Sequence, residues 1–347
     1  MLSISPTSSA PAAFAFVAGL ATIGIMSHLS AENLSTDGSV ITGSLQSTYE
    51  QEFTAANPLS ELAVTALGAL KYAVFGQASP GAIIGDDGWI FTSEELKTNA
   101  GFSDAIISSV AEIAFVKSVL EGRGTYLLPV IVPDKSEVYR EKLGFVRAEP
   151  VRERLSTFKN LLSEAGVNAL DASMPLCQEK AAGDVFMRDD THWSPIGAQA
   201  VAGAIADELS DFDFARSDVE TRMTGATAFD GDLLSYVPTG LFRPMFGPKQ
   251  GGLEQYETNV ATTGGLFGES AIDIVLVGTS FSAKPEWHFE GFLKQALSAD
   301  VLNVATEGQG PFAPMDAFLR DGIWDAHSPK IVIWEIPVRY ISKERNQ

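Results

Sequence analysis

The sequence predicts an α/β fold, a mostly parallel sheet covered by helices on both faces. Continuous aliphatic and β-branched runs recur at 126–132, 272–277 and 330–336, as in strands buried on both faces. Segments of helical period alternate with them. Two of the runs lead straight into polar residues, Pro133-Asp134-Lys135 and Gly278-Thr279-Ser280. Ligands of open α/β sheets bind beyond such strand ends.

Composition narrows the function classes. The 347 residues, 45% of them hydrophobic, can bury one large core or two modest ones. A net charge of −20 argues against nucleic acid as a partner and against adhesion to anionic lipid. The single cysteine, Cys177, excludes an internal disulfide and a Cys-based zinc cluster; beside Leu176 it reads as an inert buried thiol.

Taken in order, residues 1–30 read as a signal peptide or N-terminal membrane anchor. The uncharged run 12–26 is at the short end of the about 17–25 residues that span a bilayer, and no Lys or Arg precedes it. Leu29-Ser30-Ala31 is a marginal cleavage site, and no second spanning segment follows. Residues 31–60, rich in Ser, Thr, Asn and Gly, read as a tether with room for a short helix. The catalytic domain is expected over 61–347. It starts with an amphipathic helix at 61–75 and a hairpin at 83–91 turning through Gly85-Asp86-Asp87-Gly88. A helix at 105–121 leads to the strand 126–132, and a helix at 152–165 to a short strand at 167–171. Ser194 as N-cap and Pro195 at the first helical position start a helix running to Leu209. Residues 221–270 read as Gly-rich and irregular. The strand 272–277, a helix at 289–299, a strand at 301–304, a helix at 313–319 and the strand 330–336 complete the chain.

Two segments carry chemistry. Asp190-Thr191-His192 lies on the loop entering the Pro195 helix, where a carboxylate can hold one imidazole nitrogen and leave the other for a nucleophile. Gly278-Thr279-Ser280 displays a hydroxyl at a strand end, with following N–H groups available to an oxyanion. The same pattern also fits a serine that caps a helix. Of the four histidines, His288 is the rival base. Asp189, Asp190 and His192 could ligate a cation, but no HExxH, cysteine pair or second histidine cluster completes a site. No Walker loop or GxGxxG follows a strand, and neither metal nor cofactor is expected.

With these blocks in view, the chain resembles the AlgX/AlgJ group of polysaccharide O-acetyltransferases, whose domain is SGNH-hydrolase-like. The resemblance spans most of 70–340. It rests on Gly85-Asp86-Asp87-Gly88-Trp89-Ile90-Phe91, Val132-Pro133-Asp134-Lys135 with Tyr139, Asp190-Thr191-His192-Trp193-Ser194, Gly231-Asp232-Leu233, Gly278-Thr279-Ser280-Phe281-Ser282, and Leu302-Asn303-Val304-Ala305 with Gly308 and Gly310. It implies a rearranged order in which the Asp-His pair precedes the serine. Carried over, Ser280 is the nucleophile, His192 the base and Asp190 its orienting partner. The Ser280 N–H, with Asn303 or Gly308, forms the oxyanion hole. The implied chemistry is acetyl transfer through acetyl-Ser280 to hydroxyls of an exopolysaccharide such as alginate. Lys135, Tyr139, Trp193, Lys284 and Trp287 are acceptor-binding candidates, with Trp89, Phe281 and Arg140 beside them; core packing or solvated surface charge is the competing reading for each. The implied partners are the polysaccharide acceptor and a membrane-bound O-acyltransferase or acetyl carrier as donor. The expected location is the periplasm, tethered to the inner membrane by the N-terminal segment. The shorter AlgJ type fits better than AlgX, which carries a further carbohydrate-binding module. A carbohydrate acetyl-esterase using the same triad and a non-catalytic sugar-binding subunit of an export complex remain open at this point.

Overall fold

A computed structural model describes residues 10–31, 43–57, 59–261, 272–320 and 322–343. The strands among them are β1 (Ala82–Ile84), β2 (Ile90–Thr92), β3 (Tyr126–Val132), β4 (Leu170–Asp171), β5 (Asp218–Phe229), β6 (Gly251–Ala261), β7 (Ile274–Val277), β8 (Leu302–Asn303) and β9 (Ile331–Pro337). Five of them form one parallel sheet in the order β4-β3-β9-β7-β8.

Alternation of side chains explains why the central runs are apolar throughout. Leu128, Val130, Ile274, Leu276, Ile331 and Ile333 face one core, closed by the helices Pro195–Glu208 and Phe289–Leu297. Leu127, Ile131, Val275, Val277, Val332 and Trp334 face the other, closed by Phe102–Glu121, Glu149–Glu164 and Phe312–Arg320. A strand buried on both faces has no solvent side on which to place polar residues. The α/β class and the coverage of both faces are therefore as the sequence predicts. The hairpin is also observed, with β1 and β2 antiparallel.

Two readings change, those of 221–270 and of Cys177. Residues 218–261 hold a long antiparallel ribbon of β5 and β6, running from Asp218↔Ala261 to Phe229↔Gly251 with a bulge between Met223 and Gly225. Its strands are mostly exposed, so no apolar run marks them, and a long insert replaces the hairpin turn that would announce the pair. Within 31–60, Ser44–Ala56 is a helix with no buried residue. Cys177 is exposed, because in the helix Ser173–Glu179 it is Leu176 that is buried. The chain also divides into two compact units, 1–75 with 237–247, and 76–236 with 248–347. The helix Ser60–Phe75 thus groups with the 237–247 segment. Within the first unit, a Cβ at Gly68 would collide with the Pro238 carbonyl, so glycine permits that approach. Ala10–Ala31 is helical. Among the described residues, no helix is long and apolar enough to cross a membrane.

The helix Pro195–Glu208 matters most to the site, since the Asp-His loop enters it. Ser194 caps it as expected: its Oγ accepts from Gly197 N at 3.2 Å and donates to Asp184 O at 2.5 Å. We predict that Ser194→Ala destabilises the protein by roughly 1–3 kcal/mol in urea unfolding, through the lost cap and the unsatisfied carbonyl. An unchanged midpoint would remove Ser194 as the anchor of this loop.

Candidate active site

The nucleophile segment is set by what lies beneath it. After β7 the chain passes Gly278, where a Cβ would sit 2.6 Å from Glu335 Oε2 and 3.0 Å from Ser282 Oγ. Only glycine lets the strand end close down on β9. Thr279 N then donates to Glu335 Oε2 at 2.7 Å, and the Thr279 and Ser282 hydroxyls donate to the same carboxylate. Ser280 is the first residue of a short helix, Ser280–Ala283, so its N–H has no intrahelical acceptor. Its side chain is half-buried.

The Asp-His loop is a narrow turn held by its own backbone. Phe186 and Trp193 form an antiparallel bridge, Met187 N donates to His192 O at 3.1 Å, and Ser194 N donates to Val185 O at 3.0 Å. The turn brings His192 Nε2 to 2.7 Å from Ser280 Oγ, and His192 Nδ1 to 2.6 Å from Asp190 Oδ1. Asp190 also accepts His192 N–H on Oδ1 and Asp232 N–H on Oδ2, both at 2.9 Å. A carboxylate at Nδ1 selects the tautomer protonated there, leaving Nε2 to accept the serine proton. Burial alone would push the Asp190 carboxyl up, but the His192 hydrogen bond and charge and the N–H groups of Asp232 and His192 overcome this and hold it at about 2. Asp190 is thus an anion at neutral pH. Trp287 stacks on the imidazole at 5.2 Å between centroids, and Phe281 lies at 4.8 Å, so the ring is gripped on apolar sides.

Sequence reasoning assigned no role to several supporting residues. Asp232 accepts from Thr191 N at 2.9 Å and Thr191 Oγ1 at 2.7 Å while its own N–H serves Asp190. Gly231 allows this because a Cβ there would strike Asp189 O. Arg339, at the end of β9, reaches Thr191 O at 3.5 Å and lies over Phe281. Glu335 was visible as the one charge between Ile331 and Pro337, a signal that the expected strand 330–336 passed over. The ligand atoms of Asp190, His192 and Asp232 lie within 4.8 Å of one another. The lone pairs that would hold a metal there are those that make the Asp190–His192–Ser280 relay.

With this geometry established, a family model described as "SGNH hydrolase-like domain, acetyltransferase AlgX" matches residues 82–338. The chain belongs to this family. A probable alginate O-acetylase AlgJ of Pseudomonas aeruginosa is 36% identical over 322 residues, covering 88% of this chain and 82% of that protein. The corresponding Azotobacter vinelandii protein is 34% identical over 311 residues, covering 87% and 80%. Among solved structures, the O-acetyltransferase domain of Pseudomonas putida AlgJ matches with TM-score 0.71 at 34% identity, over 77% of this chain and 94% of that one.

In this AlgX-family chain the residues carried over from the resemblance separate clearly. Ser280, His192 and Asp190 are brought into one hydrogen-bonded line. Most of the acceptor candidates are withdrawn into the interior. Lys135 is buried and donates to the carbonyls of Ile90, Arg188 and Asp190 at 2.6, 2.9 and 3.0 Å. All three of its protons are thereby used, and burial pushes its ammonium down to about 8. Lys135 is therefore a clamp beneath the Asp190 loop, not a surface for substrate carboxylates. Tyr139 is buried against Trp89, its hydroxyl accepting Val185 N–H. Trp193 is fully buried and donates to Phe281 O. Trp287 is fully buried as the wall behind His192. Asn303 cannot serve the oxyanion, because its amide donates to Ser282 O at 2.8 Å and Glu290 Oε2 at 3.2 Å. Gly308 occupies an exposed turn at φ +74°, which Thr306 N ties to Gly278 O at 3.1 Å. Lys284 is partly exposed at the end of the nucleophile helix. His288, the rival base, bonds Thr258 Oγ1 instead.

Glu335 yields a pH prediction. Burial pushes its carboxyl from 4.5 up to about 7, against the Thr279 and Ser282 donors that favour the anion. A folded-state value above the unfolded one gives stability that is fully present below about pH 4.5 and is lost as pH rises through about 7. Relative to Glu335→Gln, the wild type should lose up to about 3 kcal/mol between pH 4.5 and 8 in urea unfolding. A difference constant across that window would exclude titration of Glu335.

Proposed function

We propose that this protein is an exopolysaccharide O-acetyltransferase that acts on alginate or a related uronate polymer through an acetyl group carried on Ser280. The observation behind this reading is the Ser280–His192–Asp190 relay at the carboxyl end of β7. Family membership selects acetyl as the group, and the names of the AlgJ relatives support alginate as the acceptor.

The geometry suits a two-step transfer. Ser280 Oγ attacks the acetyl carbonyl carbon of the donor while His192 Nε2 takes the hydroxyl proton. The Asp190 anion stabilises the imidazolium through Nδ1–H, and the Ser280 N–H faces the developing oxyanion. Collapse breaks the bond to the donor's leaving group, which takes the proton from His192, and acetyl-Ser280 remains. A sugar hydroxyl then gives its proton to the same Nε2 as its oxygen attacks the acetyl carbon. Collapse returns that proton to Ser280 Oγ and releases the acetylated sugar.

The proposal extends to setting. Activated acetyl comes from a membrane-bound O-acyltransferase or an acetyl carrier, and the chain works in the periplasm, held at the inner membrane by its N-terminal segment. The uncharged apolar run 12–26 supports export. Fractionation of cells bearing the tagged full chain is expected to place it with the envelope; recovery in the cytosol would overturn this setting.

For the chemistry, purified protein is incubated with a small acetyl ester, with and without an oligouronate. We expect an acetyl adduct mapped to Ser280, transfer to the sugar, loss of both in Ser280→Ala, and a decrease of about 10³–10⁴-fold in rate for Asp190→Asn. Acetate release indifferent to the acceptor would make the protein an esterase. Undiminished transfer by Ser280→Ala would remove Ser280 as nucleophile.

A further inference from the structure

A polymer of uronates has to be held by cations, and this chain has a net charge of −20. Of the cations near the relay, Lys135 is committed to three carbonyls and Arg154 to Asp134, and Arg339 lies buried over Phe281 and Tyr340, which leaves Lys284 as a single partly exposed charge. One cluster remains at the same sheet edge. The segment leaving the carboxyl end of β3 encloses a cavity of about 400 Å³, lined in part by Arg140, Arg147, Arg152 and Phe145. Cavities of that size hold small ligands or single units of a polymer.

We propose that this cavity is a subsite for a uronate unit of the acceptor chain, its carboxylate taken by Arg140 and Arg152 and its apolar face resting on Phe145. The inference rests on the acetyltransferase reading and assigns it an acceptor contact outside the relay. Arg147 is buried and paired with Glu137, so its charge is locally answered. Arg140 and Arg152 are exposed and form no ion pair among the described residues. Burial is the main reason the Arg147 pKa is lowered, with repulsion from Arg154 and Arg152 as smaller contributions. The other carboxylate lining the cavity, Glu153, accepts Ser156 Oγ. Arg152 stands in the first turn of the 16-residue helix Glu149–Glu164, whose N-cap, Ala148, offers no side-chain acceptor; the positive end of that helix adds to the attraction. Phe145 is 48% exposed and Val146 beside it 80%, an apolar shelf next to guanidinium groups. That pairing is what a sugar acid requires, with bidentate donors for the carboxylate and a ring for the C–H face.

Topology puts the strand end that leads to the cavity close to the one that leads to Ser280. β3 and β7 flank β9, so their carboxyl ends lie about 10 Å apart at ordinary strand spacing. Asp134 and Glu95 act electrostatically on both Arg147 and Arg339, and Arg339 reaches Thr191 beside His192. A chain seated on the arginines would therefore lead toward the relay from the β4 side of the sheet.

The test uses the full chain and a mannuronate hexamer, with a neutral mannose hexamer as control, measured by calorimetry. The wild type is expected to prefer the uronate at least about tenfold. Arg140→Ala/Arg152→Ala should abolish that preference, raise KM for the hexamer with kcat unchanged, and leave cleavage of a small aryl acetate intact. Ser280→Ala should bind the hexamer as the wild type does. Equal binding of the neutral hexamer by wild type, or unaltered uronate binding by the double variant, would overturn the subsite. Uronate binding that depends on these arginines without any acetyl transfer would leave the subsite standing and remove the acetyltransferase reading. Transfer with an unaltered KM in the double variant would do the reverse.

Discussion

The site depends on keeping one buried carboxylate charged. Asp190 is almost without solvent, where an isolated anion would cost far more than the fold can supply. It is tolerated because its oxygens take three donors, two from His192 and one from Asp232 N. Each donor imposes a position on another element. Asp232 must pass close by, and so needs Gly231 before it. The Asp190 carbonyl must stay fixed, and Lys135 fixes it while also gripping Ile90 and Arg188. Loops following β3 and β5 and the strand β2 are thus bound to the requirement that one anion remain ionised.

The opposite half of the relay is built around a second buried carboxylate, one that burial pushes toward its protonated form. Glu335 gathers the Thr279 N–H and the hydroxyls of Thr279 and Ser282, which flank Ser280 without touching its Oγ. The nucleophile therefore sits on a platform whose flanking donors, the Thr279 N–H and the Thr279 and Ser282 hydroxyls, are committed to Glu335. Because β9 lies between β3 and β7, Glu335 and Arg339 on that strand and just beyond it can brace both halves at once. The spacing of His192 and Ser280 then rests on sheet register together with direct links between their segments, Trp193 Nε1 to Phe281 O and Phe281 against the His192 ring.

The sheet, its helices and the relay were legible because each leaves a local mark: buried parallel strands are apolar throughout, Ser194-Pro195 announces a helix, and an Asp-x-His turn needs few residues. The β5–β6 ribbon was not, since a mostly exposed ribbon lacks an apolar stripe and its partners are joined by an insert instead of a turn. Lys135 and Tyr139 misled for a related reason. A polar side chain after a strand end reads as surface, and only packing reveals that three carbonyls or a backbone N–H await it inside. Asn303 likewise has the right chemistry for an oxyanion, but its two donors are committed by neighbours far away in sequence. Residue type was readable; the assignment of partners was not.

Buried charges of the two signs nearly balance. Lys135, Arg147, Arg154 and Arg339 are turned inward with Glu95, Asp134, Asp189, Asp190 and Glu335, so the exposed surface stays acidic, in keeping with the net charge of −20. Such a field repels a polyanion at long range, but at physiological salt it decays over about 8 Å, whereas contacts at hydrogen-bond distance persist. On the proposed function, recognition of a polyanionic acceptor would rest on a few short-range guanidinium contacts and apolar shelves instead of general attraction. That arrangement has a chemical advantage for a transferase. On the proposed mechanism, a polymer held at a few points near the relay would present a hydroxyl to His192, and the apolar grip of Trp287 and Phe281 around the imidazole would limit the access of water to an acetyl group on Ser280.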